Sequence, residues 1–260
     1  LVIDGYGTSL LNRRIAALYN ETVTGVPDAG TAFGSFAELL AEDAAYRGSE
    51  REAKERAYWN ELFADRPQVI GIAQGEATSA HTFHRFPLDC GRGVPRAARA
   101  RAHAAGLAWP DLVPTTAGGF VARHAGSAET VIGVPHMARF GSVAARVPAM
   151  VMNVLPLRLA IDEDAPLDTL AAGVSRQLTR GRRFGRYRSE QLRRDLGLVG
   201  GERRLYGPLV NIMPFDMPFA LHGIDSDLRV PGAGAVDDIT FTVRADGAGE
   251  TMRLELDTNP

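Results

Sequence analysis

An apolar triplet runs directly into an Asp-Gly pair in the stretch LVIDGYG, residues 1–7. Asp and Gly are both common in turns, so the pair by itself is a weak signal. If the domain began at residue 1, the strand that contains the apolar triplet would lack its first residues. We therefore expect further residues to precede this stretch.

A helix is predicted directly after this stretch. Thr8 or Ser9 can cap its N terminus. Its apolar face is formed, at spacings of four and three residues, by Leu11, Ile15 and Leu18. Residues 4 and 5 are thus predicted to lie on a loop between a strand and a helix.

The composition is that of a globular chain, with 45% of the 260 residues hydrophobic and 23% charged. A formal net charge of -2 offers no general attraction to phosphates or anionic lipid, so nucleic-acid and membrane partners are not expected. No stretch approaches the roughly 20 apolar residues of a membrane span.

The single cysteine, Cys90, excludes an internal disulfide and favours a cytoplasmic location. A basic run at residues 180–188 does not predict RNA binding, because the rest of the chain is not basic.

Alternating helices and strands predict an α/β fold. Helices are predicted near residues 8–18, 50–64, 94–105, 111–125 and 167–178, and strands near residues 82–88, 130–135, 151–161, 208–215, 237–244 and 251–257. In the strand at 151–161, Asn153 is the one polar member of a row of apolar side chains. Gly91 and Gly93 mark a crossing between two lobes, predicted as residues 1–90 and 91–260.

The stretch LVIDGYG before an amphipathic helix resembles the end of the His-His-x-x-x-Asp-Gly motif of condensation domains from nonribosomal peptide synthetases. These domains share the chloramphenicol acetyltransferase fold. Further matches follow in the family's order: AYW at 57–59 with Leu62, VIGVP at 131–135 leading to Arg139, and VMNVLPLR at 151–158. The run GPLVNI at 207–212, with Phe215 and Asp216, is similar to siderophore-type synthetases.

This resemblance implies two lobes arranged in a V, with a tunnel between them and carrier proteins docking at opposite mouths. Both motif histidines would precede Leu1, so the N-terminal lobe is expected to be incomplete and the chain alone inactive. The implied reaction joins a donor acyl thioester to an acceptor amine, both carried on phosphopantetheine arms, to form an amide. The implied partners are donor and acceptor peptidyl carrier proteins and an adjacent adenylation domain. No bound cofactor or metal is expected.

The resemblance places Asp4, Gly5 and Asn153 at the catalytic centre. It pairs Asp4 with Arg139 from the other lobe, which favours a structural carboxylate over a base. Gly5 would let the thioester arm approach the backbone, or would be a turn glycine with positive φ. Asn153 would hydrogen-bond substrate or intermediate, or a structural partner.

Three further residues are expected to line the tunnel. They are Tyr6, which follows the Asp-Gly pair, His136, which precedes Arg139, and Arg158, which ends the VMNVLPLR match. For His136, an ordinary packed or surface position is the competing interpretation.

Two other functions remain open at this stage. One is an acyltransferase of the same fold that uses acyl-coenzyme A. The other is a non-catalytic module that binds carriers or recruits a partner. Heterocyclising relatives replace the motif histidines with aspartates and follow the second Asp with other small residues, so Asp4-Gly5 favours ordinary condensation. Epimerisation is a further alternative.

Overall fold

The computed structural model describes residues 2–28, 30, 32–72, 82–199, 204–214, 220–225, 236–246 and 250–259. Phe215 and Asp216, which belong to the stretch similar to siderophore-type synthetases, lie outside this part of the chain. The helices are α1 (Gly5–Thr24), α2 (Phe36–Tyr46), α3 (Glu50–Leu62), α4 (Gly93–Ala104), α5 (Trp109–Ala125), α6 (Leu167–Arg183) and α7 (Ser189–Asp195). The strands are β1 (His84–Asp89), β2 (Glu129–His136), β3 (Asn153–Ala160), β4 (Leu209–Met213), β5 (Ile239–Ala245) and β6 (Met252–Thr258).

One six-stranded sheet has the order β1-β6-β5-β4-β2-β3. β4 pairs in parallel with β2 and β5, whereas β6 is antiparallel to both β1 and β5. One face of this sheet packs against α5 and α6, through a core that includes Val121, Val174, Leu178, Leu157 and Phe241. The predicted α/β fold is confirmed.

Contacts divide the chain into two compact units. One consists of the described parts of Leu1–Lys54, Met137–Asn153 and Met217–Ala233. The other consists of the described parts of Glu55–His136, Val154–Asp216 and Gly234–Pro260, and it holds most of the sheet. The predicted lobe boundary between residues 90 and 91 stays a prediction.

Helix α1 begins earlier than the sequence predicted. Asp4, not Thr8 or Ser9, is its N-cap, and the Asp4 side chain accepts a hydrogen bond from the Gly7 N–H. Carboxylates are among the strongest N-caps, which explains why the helix starts at once after Asp4. The predicted loop therefore ends at residue 4.

The predicted apolar face of α1 is also not buried in this structure. Its three members are between 40% and 47% exposed: Leu11, Ile15 and Leu18. The buried residues of α1 are the small ones Gly7, Ser9 and Ala16. Ser9 and Ala16 share one side of the helix, whereas Gly7 lies on the opposite side. Small side chains let the α1 backbone approach its neighbours closely, which periodicity of large apolar residues does not reveal.

Strand β3 follows the predicted alternation. Asn153, Leu155, Leu157 and Leu159 are all buried, with at most 5% of each residue exposed. Their common burial puts them on one side of the strand, because successive side chains alternate between faces. Asn153 is thus the first residue of a strand that is otherwise anchored by leucines.

Candidate functional site

The Asp4 carboxylate lies at the start of α1 and is almost fully buried. Its Oδ1 accepts the Gly7 N–H at 2.8 Å. Its Oδ2 accepts the backbone N–H groups of Val151 at 2.9 Å and Met152 at 3.0 Å. One side chain thereby joins the helix start to the segment that leads into Asn153.

The same carboxylate forms a buried ion pair with Arg139. Nη2 of Arg139 lies 2.8 Å from both Oδ1 and Oδ2, and each side chain is only 3% exposed. The sequence resemblance paired these two residues, and they are in contact in the structure. Their role in catalysis stays a prediction.

The Arg139 guanidinium also binds the backbone of its own loop. It donates to the carbonyl oxygens of Ala144, Val147 at 2.9 Å and Ala149 at 2.7 Å. Its Nε has no acceptor among the described residues. The loop from Arg139 to Ala149 is therefore held around one cation, and that cation is held by Asp4.

Tyr6 packs against this ion pair. The guanidinium carbon of Arg139 lies 4.9 Å from the centre of the Tyr6 ring, and the Tyr6 hydroxyl donates to the Ala145 carbonyl at 3.4 Å. A cation over a ring face is attracted by the ring quadrupole. The structure thus places Tyr6 in contact with Arg139, while its contact with substrate remains a prediction.

The environment of Asp4 determines its protonation. Burial alone would raise the pKa of this carboxyl, but hydrogen bonds from Gly7, Val151, Arg139 and Met152 outweigh burial, and the pKa lies below its ordinary value. A carboxylate with both oxygens occupied and a lowered pKa is a poor proton acceptor near neutral pH. The geometry favours a structural role for Asp4.

The two glycines near Asp4 have different surroundings. A Cβ on Gly5 would meet no atom within 4 Å, and Gly5 is not among the glycines with positive φ. The interpretation of Gly5 as a positive-φ turn is therefore wrong. A Cβ on Gly7 would lie 2.7 Å from Ile3 Cγ1 and 3.0 Å from the Ala149 oxygen. Gly7, which no sequence pattern singled out, is the one of these two glycines that close packing requires.

Asn153 directly follows the two residues whose N–H groups bind Asp4. It is 4% exposed and is the first residue of β3. The Asp4 network therefore fixes the backbone immediately before this amide. Whether Asn153 contacts a substrate remains a prediction.

His136 is a half-buried imidazole at the end of β2. A Cβ on Gly185 would lie 2.7 Å from its Cδ2, so a glycine at position 185 is needed for this packing. Burial, and secondarily the positive charge of Arg182, lowers the pKa of His136 to about 4. His136 is consequently neutral at physiological pH, and its predicted place in a tunnel stays a prediction.

The Arg158 guanidinium is bound by two carboxylates. Its Nε donates to Glu129, and its Nη2 donates to Asp65 at 2.7 Å. The hydrogen bonds from Arg158 to Glu129 and Asp65 raise its pKa above the ordinary range. A predicted contact between Arg158 and substrate would have to compete with these carboxylates.

Metal binding has no support in the described residues. No three His, Cys, Asp or Glu side chains come together there in a group that could hold an ion. Among the described helices, none combines the length and apolar character of a bilayer span.

The sequence matches a family profile described as "Condensation domain" over residues 1–227. It is 43% identical to the isonitrile lipopeptide synthase of Streptomyces coeruleorubidus and 37% identical to a dimodular nonribosomal peptide synthase of Bacillus subtilis. All of this chain is covered in both comparisons, but only 18% and 11% of the relatives. Synthetases of vanchrobactin and enterobactin are also among the relatives.

The structure is similar to the first condensation domain of the CDA synthetase. The TM-score is 0.90 at 30% sequence identity, and the match covers all of this chain and 57% of the other. The chain thus spans less than a fifth of the two curated relatives named above and just over half of this solved chain.

Proposed function

Because this chain belongs to the condensation-domain family, we propose that it is part of a domain that joins a donor acyl thioester to an acceptor amine. Both substrates would be held on phosphopantetheine arms of carrier proteins, with an adenylation domain adjacent in the same synthetase. The resemblance in sequence and the predicted fold class are confirmed by the family match and by the structural similarity. A product of the siderophore type is the narrower form of the proposal, supported by the siderophore synthetases among the relatives.

One observation carries the proposal at the level of the site. The Asp4 and Arg139 ion pair holds the helix start and the segment before Asn153 in one fixed arrangement. Catalysis by positioning needs such rigidity, because reacting groups must be held within a fraction of an ångström. The network supports a preorganised site beside Gly5 and Asn153.

In the proposed reaction, the amine nitrogen attacks the thioester carbon and forms a tetrahedral intermediate with a charged oxygen. Collapse of this intermediate breaks the carbon–sulfur bond, and the proton lost by the amine balances the thiolate that leaves as a thiol. Asp4 is unsuited to carry this proton, since its oxygens are occupied by donors. The resemblance implies that the second motif histidine, directly before Leu1, either deprotonates the amine or stabilises the ammonium of the intermediate.

The proposal predicts a direct product. The condensation domain, completed to the length of its solved relatives, would be mixed with donor and acceptor carriers whose arms are loaded. Intact-protein mass spectrometry should show the donor moved onto the acceptor as an amide. Carrier binding by folded protein without any amide product, for every loaded pair, would favour the non-catalytic recruitment module instead. Product with acyl-coenzyme A but not with a loaded donor carrier would favour the acyl-coenzyme A alternative.

A further inference from the structure

Three arginines form one exposed face of helix α6. Arg176, Arg180 and Arg183 are spaced four and three residues apart, so their side chains project from the same side of the helix. All three are exposed. Within the part of the chain that the structure describes, none of them makes an ion pair with a carboxylate. We call these three residues the arginine face.

Among the described residues, the lack of ion pairs on the arginine face contrasts with other parts of the molecule. Arg85, Arg101 and Arg158 each bind an aspartate at 2.7 Å or less. Residues 176–194 contain eight arginines and one glutamate, although the whole chain has a formal net charge of -2. Positive charge is therefore concentrated at α6 and the residues that follow it, and the rest of the chain is net negative.

The middle arginine of this face is held in place by aromatic rings. The Arg180 guanidinium carbon lies 5.2 Å from the centre of the Tyr58 ring. The Tyr58 ring in turn stacks on Phe184, with 4.2 Å between ring centres and 19° between ring planes. A cation on such a platform loses less conformational entropy when it binds an anion than a free side chain does.

The arginine face borders concave surface. Arg180 lines a cavity of about 540 Å³ between α3, β3 and α6. Together with Arg176 and Arg183, it also lines a second cavity of about 530 Å³ along α6. Glu61 and Glu129 also line the first cavity, whereas no acidic residue is among those that line the second. An incoming anion therefore reaches the arginine face through the second cavity.

Stabilisation of the helix end does not account for the whole face. Cations in the last turn of a helix interact favourably with its dipole, which is a sufficient reason for Arg180 and Arg183. Arg176 lies before the last turn, where this effect has faded. Its alignment with the other two arginines points to an external anion.

We propose that the arginine face is the docking surface for an acidic carrier protein, an inference that rests on the proposed function. The outer arginines are seven positions apart in the helix, a span of about 10 Å along the axis. An acidic helix that presents carboxylates at the same spacing matches this row. The phosphodiester of the phosphopantetheine arm supplies a further anion suited to bidentate binding by a guanidinium.

The test uses a charge-reversed domain. Arg176→Glu, Arg180→Glu and Arg183→Glu are combined in the completed condensation domain, and the affinity for each phosphopantetheinylated carrier is measured by calorimetry at low and moderate salt. We expect at least one carrier to bind about tenfold more weakly or worse. We also expect the salt dependence of that binding to flatten.

The matched control carries the same change of charge elsewhere. Arg92→Glu, Arg96→Glu and Arg253→Glu alter three exposed arginines outside α6, and this variant should bind both carriers within about twofold of the parent protein. Unchanged affinity of both carriers in the α6 variant would overturn the inference. So would an equal loss in the control variant, because the effect would then be one of net charge alone.

Amide formation from soluble N-acetylcysteamine thioesters separates docking from chemistry. These substrates bypass carrier binding, so the α6 variant should use them at the rate of the parent protein. If the Glu variant does not fold, the milder Arg→Gln triple is measured in the same way. A parent domain that binds carriers through α6 but forms no amide would contradict the proposed function and leave the docking surface intact.

Discussion

Nη2 of Arg139 lies 2.8 Å from both carboxylate oxygens of Asp4, and both side chains are buried. The two residues are 135 positions apart in the chain. Because the Asp4 oxygens also accept backbone N–H groups and the Arg139 nitrogens also bind backbone carbonyls, neither charge can be removed without stranding several polar groups.

Arg139→Ala should be strongly destabilising. It leaves the Asp4 carboxylate buried without its cation, and removing one partner of a buried pair costs about 3–5 kcal/mol. Urea unfolding of the condensation domain measures this loss. As a control, Arg101→Ala removes an exposed ion pair with Asp168 and should cost no more than about 1 kcal/mol. Similar losses of unfolding free energy in the two variants would show that the Asp4–Arg139 ion pair does not stabilise the domain more than an exposed ion pair does.

The Asp4 network should make stability depend on acid pH. The pKa of Asp4 lies below its ordinary value of 3.8 in the folded protein. Its contribution to stability is therefore fully present above the unfolded-state pKa and is lost as pH falls through the lower folded-state pKa. In Asp4→Ala the free energy of unfolding should change less between pH 5 and pH 2, and an unaltered slope would contradict this assignment.

Asn153→Ala should slow amide formation while the domain stays folded. Loss of one preorganised donor to a charged intermediate reduces turnover about 10²- to 10³-fold. Rates with loaded carriers and thermal melting of the same sample separate a catalytic from a structural amide. Retained activity would remove Asn153 from the site, and a large drop in melting temperature would assign it a structural bond.

Thr242→Val should be neutral or stabilising. The Thr242 hydroxyl is buried on β5 and has no hydrogen-bond partner among the described residues. Replacing an unsatisfied buried group by an apolar one of similar shape removes its desolvation penalty. Thr115→Val is the matched control, since the Thr115 hydroxyl donates to the Asp111 carbonyl at 2.9 Å. It should lose about 1 kcal/mol, and the reverse order of stabilities would refute this account.

His136 should titrate far below other histidines. Burial is the main reason that its pKa falls to about 4, so NMR of the imidazole should show a midpoint near that value. Because the folded state favours the neutral ring, this residue weakens stability progressively as pH falls below 6.5. Gly185→Ala should displace the ring and move its midpoint upward. A midpoint near 6.5 in the unaltered protein would contradict the packing against Gly185.

The strands and the strongest motif could be predicted from sequence because they depend on local pattern. Alternation of apolar residues located β3 and its buried Asn153, and the motif LVIDGYG with Arg139 downstream identified the family. The start of α1 was missed because Asp4 acts as cap and ion-pair partner at once. Periodicity placed Leu11, Ile15 and Leu18 in one helix, and all three lie in α1.

Hydrogen bonds made by backbone groups could not be predicted from the sequence. The N–H groups of Val151 and Met152 and the carbonyls of Ala144, Val147 and Ala149 carry no side-chain signature. The need for glycine at position 7 follows from its distance to Ala149, which is distant in sequence. The arginine face, by contrast, can be predicted from the four- and three-residue spacing of its arginines once α6 is known to be a helix.

The position of β6 within the sheet has a consequence for synthesis on the ribosome. β6 lies between β1 and β5, so β1 has no neighbouring strand in the described sheet until residues 252–258 have been made. Arg85 on β1 precedes its partner Asp257 by 172 residues. At about 5–20 residues per second, that interval is roughly 9–34 s. During this time β1 lacks the strand it pairs with and is open to mispairing, whereas β5 ends at Ala245, only seven positions before β6 begins. A nascent chain stalled before β6 therefore leaves β1 as its unpaired strand.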